Sequence, residues 1–272
     1  MNHLEPRTSD LEPRTSDLKP LTSNLEPRTS RISVCMATRN GGRFIRRQLE
    51  SILTQLSPDD EVVISDDSST DDTVAIIRGF DDPRIRLLAG NAFFSPVFNF
   101  ENALMRAAGE IIVLADQDDV WLENRVAVIR GRFAAPPHRC YLIAMDGYVV
   151  DEDERVVGAS IFERINAGKG FLKNIYNNRY VGCCLAFSRE LLEIALPFPK
   201  RIAMHDMWLG QLCEIVGETE FVGEKTILYR RHGGSLTEFR PRFAPLVQFG
   251  RRFWLVYCLL HRSVSRGGSR EM

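Results

Sequence analysis

"EIIVLADQDDVW", residues 110–121, runs four apolar residues almost directly into Asp116, Asp118 and Asp119. A short β-branched run bounded by polar residues reads as a buried strand. Three carboxylates at the end of such a strand repel one another. The cluster costs stability unless hydrogen-bond donors or a cation offset it. Either the aspartates form a solvated turn, or they hold something positive. The neighbouring sequence decides between these.

Upstream, the same pattern recurs. "RISVCMAT" (31–38) reads as a buried strand. "GRFIRRQLESILTQL" (42–56) places Phe44, Ile45, Leu49, Ile52, Leu53 and Leu56 on one helical face. "EVVIS" (61–65) is a second strand, followed by "DDSSTDDT", where Ser69 and Asp72 have capping-box spacing before the helix "TVAIIRGF". "RIRLLA" (84–89) is a third strand. "SPVFNFENALMRAAG" (95–109) opens with Ser95 as N-cap and Pro96 at the first helical position. Strands alternating with helices predict an α/β fold with a doubly wound, mostly parallel sheet. Ligands bind beyond the carboxyl ends of such strands. "ATRN" (37–40), "SDD" (65–67) and "ADQDD" (115–119) would meet there, which weakens the solvated-turn reading.

The second half is less regular. "CYLIAMDGYVV" (140–150) and "YVGCCLAFS" (180–188) read as strands, and "RELLEIAL" (189–196) as a helix ended by "PFP". "MHDMWLGQLCEIVG" (204–217) reads as a helix starting near Asp206, and "KTILYRRHGGS" (225–235) as a strand entering a glycine turn.

Composition sets the outer limits. At 272 residues, 44% hydrophobic and 26% charged, the chain is an ordinary globular protein with room for one large domain. A net charge of -1 points to no nucleic-acid partner. The six cysteines lie mostly in apolar runs without Cys-x-x-Cys spacing, which excludes a zinc pattern and predicts buried reduced thiols in a cytoplasmic protein. No apolar run approaches the ~18 residues of a membrane span, and the N-terminus lacks a signal-peptide core. Residues 1–30 repeat "LEPRTSD"-like heptads, each with a proline, and read as a disordered leader rather than a coiled coil. Residues 239–270 hold no acid and eight basic residues counting His261. That basic amphipathic segment, 239–272, either lies in an anionic membrane interface or packs on the main domain, 31–238.

Two enzyme readings compete for Asp-x-Asp after a strand. It resembles the haloacid-dehalogenase phosphatases, but their motif sits on the first strand, whereas here it ends the fourth. The ordered set "ATRN", "VVISDDSSTDD", "ADQDDVW", "VGCCLAFSREL", "MHDMW" and "YRRHGGS" resembles family 2 glycosyltransferases of the GT-A fold, especially bacterial rhamnosyltransferase-like members. Ala115 stands where serine is frequent, and "HGGS" where an Asn-rich turn is frequent.

The resemblance implies a nucleotide-binding first half, an acceptor-binding second half and a metal-dependent, inverting hexosyltransferase. Its donor would be a nucleotide-diphosphate sugar, with rhamnose the leading choice, and its acceptor a glycan or polyprenyl-linked sugar in polysaccharide biosynthesis. Asp116 and Asp118 are then the ligands of Mg²⁺ or Mn²⁺ and of the nucleotide ribose. Asp119 either joins them or caps the next helix. Thr38 with Asp66 or Asp67 borders the nucleobase and ribose. His232 ligates the metal or touches the diphosphate beside Arg230 and Arg231. Asp206 is the catalytic base, or only a helix cap. His205 orients the acceptor or packs, Trp121 and Trp208 stack on a sugar or pack, and Gly182 allows close approach of donor or acceptor. A sugar nucleotidyltransferase and a non-catalytic sugar-nucleotide binding protein are the alternatives. The first would want a fuller basic glycine loop after the first strand than "ATRNGGRF", and the second would have no need of every acidic position.

Overall fold

The computed structural model describes residues 30–233 and 245–267. Nearly all of the heptad leader and the end of the "HGGS" turn lie outside the described residues. The chain runs β1 (Ile32–Thr38), α1 (Ile45–Leu53), β2 (Glu61–Asp66), α2 (Thr73–Arg78), β3 (Ile85–Leu88), α3 (Pro96–Leu104), β4 (Ile111–Asp116), β5 (Val120–Trp121) and α4 (Arg125–Phe133). It continues with β6 (Tyr141–Val150), β7 (Val156–Gly158), α5 (Ile161–Ile165), α6 (Phe171–Tyr176), a 3₁₀ turn at Gly182–Cys184, β8 (Leu185–Ser188), α7 (Arg189–Ala195), α8 (His205–Val216), β9 (Glu218–Arg230) and α9 (Pro245–Gly267).

The strands form one sheet in the order β3-β2-β1-β4-β8-β6-β9-β5, with β7 paired to β6. β1, β2, β3 and β4 are parallel, as the βαβ alternation requires. β8 inserts antiparallel between β4 and β6, while β6 and β9 are again parallel. Register sets the site: Thr38 lies opposite Asp66, and Ala37 opposite Asp116. The three polar strand ends therefore stand in nearly one row.

Both faces are covered, so the strands read as continuous apolar runs rather than alternating ones. Along β1, Ile32, Val34 and Met36 pack with α1, while Cys35 joins Phe100 of α3 on the other face. All six cysteines are free and buried.

Two local expectations change. The capping box is not formed: Asp72 precedes α2 without a side-chain cap bond, and the Ser69 amide donates to Asp66 Oδ1 at 3.0 Å. Ser69 Oγ is already engaged, donating to Asp66 Oδ2 and accepting the Asn40 amide at 2.9 Å from the loop after β1. The segment "YVGCC" is not strand, because Gly182–Cys184 turns as a 3₁₀ helix before β8 begins. The C-terminal segment does pack on the domain. Leu255, Cys258 and Leu259 of α9 are buried, and Arg262 donates to the carbonyls of Ile194, Leu196 and Pro197. No helix among the described residues is long and apolar enough to cross a membrane.

One buried cation ties the irregular elements together. Arg125, at the start of α4, is fully enclosed, donates to Thr226 Oγ1 at 2.9 Å and to the Cys183 carbonyl at 2.6 Å, and lies 4.7 Å from the Trp121 ring. It thereby joins β9, the 3₁₀ turn and β5. Lysine keeps the charge but has no planar fork for two directed bonds and a stack. Arg125→Lys is expected to lower unfolding free energy by about 2 kcal/mol, read as a shift in urea midpoint at unchanged slope. A wild-type midpoint would remove Arg125 from this role.

Candidate active site

Four carboxylates gather at the carboxyl edge of the sheet. Asp116 ends β4, Asp118 and Asp119 occupy the turn into β5, and Asp206 lies in the first turn of α8. Gln117 makes that turn possible. Its side chain accepts the Arg39 amide at 2.8 Å and donates to the Arg39 carbonyl at 3.0 Å, so it pairs with the end of β1 as another strand would. Gly41 leaves the room: a Cβ there would meet Gln117 Oε1 at 2.3 Å.

The electrostatics follow from packing like charges in a poorly hydrated place. Asp116 keeps part of its surface open, yet burial first, then the charge of Asp118, then that of Asp206 push it up to about 7. Burial first, then the charges of Asp118 and Asp116, hold Asp119 well above the usual carboxylate range. Asp206 is raised to about 6 by burial. The action of Asp206 on Asp116 places the two within one electrostatic neighbourhood.

The 3₁₀ turn supplies donors to both sides. The Gly182 backbone lowers Asp206, and the Cys183 thiol, with its sulfur within 4.8 Å of their oxygens, lowers Asp116 and Asp119. The thiol itself stays protonated, held up by its bond to Cys184 and then by burial. Asp206 also accepts from the Asn178 amide at 3.1 Å and from the Met207 backbone at 2.6 Å. Gln117, Cys183 and Asn178 were not singled out from the sequence. Only Gln117 carried a signal, as the middle residue of Asp-x-Asp.

Other expected residues fall as follows. Thr38 Oγ1 donates to Asp66 Oδ2 at 2.9 Å, and Asn99 holds the Thr38 carbonyl at 3.1 Å. Asp67 accepts the amides of Phe93 at 2.6 Å and Ser95 at 3.2 Å. Thr38, Asp66 and Asp67 are all buried, and they shape the loops that border the row of strand ends. His232 Nε2 lies 2.7 Å from Asp118 Oδ2. Asp119 is not a helix cap: it accepts the Arg230 amide at 2.9 Å, and Asn124 precedes α4.

Four sugar-side expectations are corrected. Trp208 is fully buried and donates to the Ala195 carbonyl, so no face is open for stacking. Trp121 is 3% exposed and packed against Arg125. His205 packs its ring 4.2 Å from Phe100, and burial lowers it to about 3, keeping it neutral. Gly182 admits that ring rather than a ligand, since a Cβ there would lie 2.8 Å from His205 Nε2. Arg230 is likewise unavailable to a diphosphate. It is buried, donates to the Asp118 and Glu152 carbonyls at 2.7 Å each, and pairs with Glu154 at 3.0 Å.

The carboxylate oxygens of the cluster fit a hard divalent cation, while the protonated Cys183 thiol beside them is no ligand for one. Asp116, Asp119 and Cys183 present ligand atoms within 4.8 Å of one another, and Asp119 Oδ2 is buried without a hydrogen-bond partner. Mutual repulsion among these oxygens is what a cation relieves. This grouping differs from the expected Asp116, Asp118 and His232. The reason is that Asp118 points to His232 while Asp119 turns inward.

The glycosyl transferase family 2 model matches residues 33–194, more than half of the chain. The chain belongs to this family. Its similarity to the dTDP-rhamnosyl transferase RfbG of Shigella flexneri is 26% identity over 78% of each chain. To WfgD of Escherichia coli, a UDP-Glc:α-D-GlcNAc-diphosphoundecaprenol β-1,3-glucosyltransferase, it is 30% over 35% of this chain and 38% of that one. Among solved structures, TarS of S. aureus with UDP-GlcNAc superposes with a TM-score of 0.64 at 18% identity, over 83% of this chain and 65% of that one. That likeness shows the fold, GT-A. The chain spans 66% of the length of one curated relative and 33–38% of three others.

Burial of Asp206 has a measurable cost. Its folded-state value of about 6 lies above the ~3.9 of an unfolded aspartate. The native state therefore binds more protons between these values, and stability falls as pH rises through that window. Asp206→Asn keeps the acceptor oxygen and removes the charge. It is expected to be more stable than wild type at pH 7.5, by on the order of 1–3 kcal/mol, with the gap closing toward pH 4.5. Urea unfolding at both pH values measures this, and a gap independent of pH would refute it.

Proposed function

We propose that this enzyme is an inverting glycosyltransferase that moves rhamnose from a nucleotide-diphosphate donor to a glycan or polyprenyl-linked acceptor. The observation that carries the reading is Asp206. It is buried, ringed by donors from Gly182, Asn178 and Met207, and lies within electrostatic reach of Asp116. Rhamnose is favoured by the similarity to RfbG over most of both chains. A lipid-linked acceptor is favoured by the likeness to WfgD and by the basic segment 239–272 as a peripheral contact with the inner face of the cell membrane. We assign residues 1–30 to a leader outside the 31–238 transferase domain.

In this mechanism the acceptor hydroxyl oxygen attacks the anomeric carbon from the side opposite the diphosphate. The new C–O bond forms as the bond to the diphosphate oxygen breaks, which inverts the centre. Asp206 takes the hydroxyl proton as the bond forms, and the nucleoside diphosphate leaves with the bonding electrons. At about 6, Asp206 is largely ionised at neutral pH yet more basic than a free aspartate. Asp116 and Asp118, with the unpartnered Asp119 oxygen turned in beside Asp116, would hold Mg²⁺ or Mn²⁺, which when bound supplies charge neutralisation for the leaving diphosphate. Thr38, Asp66 and Asp67 frame the nucleoside side, and His232 orients Asp118.

Asp206→Asn is expected to bind donor as wild type does but transfer ~10²-fold or more slowly. Wild-type kcat/KM should rise with pH and level off above about 6. Near-wild-type transfer by the variant would move the base elsewhere. For the donor side, Asp118→Asn should abolish the gain in nucleotide-sugar affinity that Mn²⁺ gives the wild type, measured by calorimetry with dTDP-rhamnose and UDP-glucose in parallel. An undiminished gain would sink the ligand assignment, and tighter binding of UDP-glucose would overturn rhamnose.

A further inference from the structure

Near Asp206, two helices carry large apolar side chains that no described residue buries. Leu172 and Tyr176 of α6 are 79% and 75% exposed, and Phe253, Tyr257 and Leu260 of α9 are 69%, 53% and 55% exposed. These are five of the eleven large apolar residues exposed among the described residues. Positions 253, 257 and 260 fall on one helical stripe. The opposite stripe of α9, through Leu255, Cys258 and Leu259, is buried in the domain, so the exposed one faces outward on a fixed support. Arg252 joins the two helices: it donates to the Tyr176 carbonyl at 2.6 Å and lies 4.7 Å from that ring. The five side chains belong to one surface.

Charge identifies what fits it. Residues 164–189, which contain α6, hold no acid, and neither do residues 239–270, which contain α9. The acids brought against α6 and the segment before it, Glu214 and Glu218, are taken up by Asn174 and Lys169. Apolar side chains with aromatic rings among basic residues suit the headgroup boundary of an anionic bilayer. A second copy of the chain fits poorly, because a two-fold contact would set this basic surface against itself. Position adds a reason. Tyr176 is two residues from Asn178, whose amide holds Asp206, so at most about 7 Å of chain separates their Cα atoms.

We propose that α6 and α9 form one platform that docks on an anionic bilayer and turns the Asp206 side of the protein toward a lipid-linked acceptor; the last clause rests on the reading of Asp206 given above. The platform is larger than a basic tail, since it needs α6.

Flotation tests it, with vesicles of phosphatidylcholine alone or mixed with phosphatidylglycerol. The full chain should float with the mixed vesicles, lose binding as salt rises, and stay unbound with phosphatidylcholine alone. Tyr176→Glu should weaken partitioning by about fivefold or more, and Phe253→Glu with Tyr257→Glu by more than tenfold. Urea midpoint and nucleotide-sugar binding should be unchanged in all of them. Wild-type binding by Tyr176→Glu would reduce the platform to the tail, and equal binding to both vesicles would remove the charge argument. Wild-type self-association by light scattering, abolished by Phe253→Glu and without flotation, would replace the bilayer with a second copy. Asp206→Asn should float as wild type does, so failure of the base assignment and failure of the platform give different results.

Discussion

The site is governed by the repulsion among Asp116, Asp118, Asp119 and Asp206 at one edge of a sheet covered on both faces. In water four carboxylates at close range are a small problem. Here burial dominates the shifts of Asp116, Asp119 and Asp206, and neighbouring charges add to it for Asp116 and Asp119. The irregular parts of the fold answer that constraint. The 3₁₀ turn aims a backbone amide at Asp206 and a neutral thiol at Asp116 and Asp119. β9 brings the Arg230 amide to Asp119, and the Arg125 cation sits one layer below, holding the turn through the Cys183 carbonyl. Hydrogen bonds soften the repulsion without cancelling it, since these three carboxyls still lie above their ordinary values.

That residue of unbalanced charge has a use. A site that fully neutralised its own carboxylates would have little to gain from a cation or from an acceptor proton. Strain of this kind is tolerated because the surrounding packing over-determines the geometry. Trp208, Phe187 and Tyr141 are fully enclosed around the same strands. A soft surface helix would let Asp206 swing into solvent, where burial would no longer raise it. On α8, whose Trp208, Leu209 and Leu212 are buried, it has no such freedom.

The parallel half was legible because every signal there is local. Alternating strand and helix periods, Pro96 at a helix start and acids at three strand ends fix β1 to β4, and register then brings Thr38, Asp66 and Asp116 together. The second half was harder for a physical reason. β8 pairs antiparallel with β4 across about seventy intervening residues, and nothing local in "YVGCCLAFS" says where the strand starts. Residue type also misled at single positions. Trp208, Trp121 and His205 suit a sugar chemically, yet each is buried in the packing, a matter of long-range contacts. Ser69 had the spacing of a cap and went instead to Asp66. Conversely, Asn178 and Cys183 act only through residues remote in sequence, so no motif could mark them.

Connectivity explains how the two halves of the site keep step. β5 and β9 pair at Val120–Leu228 and Trp121–Ile227, directly beside Asp118 and Asp119 on one strand and Arg230 on the other. Arg230 then holds the Asp118 carbonyl with its side chain and Asp119 with its amide, and His232 reaches the Asp118 carboxylate. Three contacts from residues 230–232 thus fix the donor-side turn. β9 is also the strand that pairs with β6 along nearly its whole length and packs under α8, the helix that carries Asp206. A displacement of β9 would therefore disturb Asp118, Asp119 and Asp206 together. Because the turn and α8 are both tied to one strand, the placement of Asp118 and Asp119 relative to Asp206 follows the sheet.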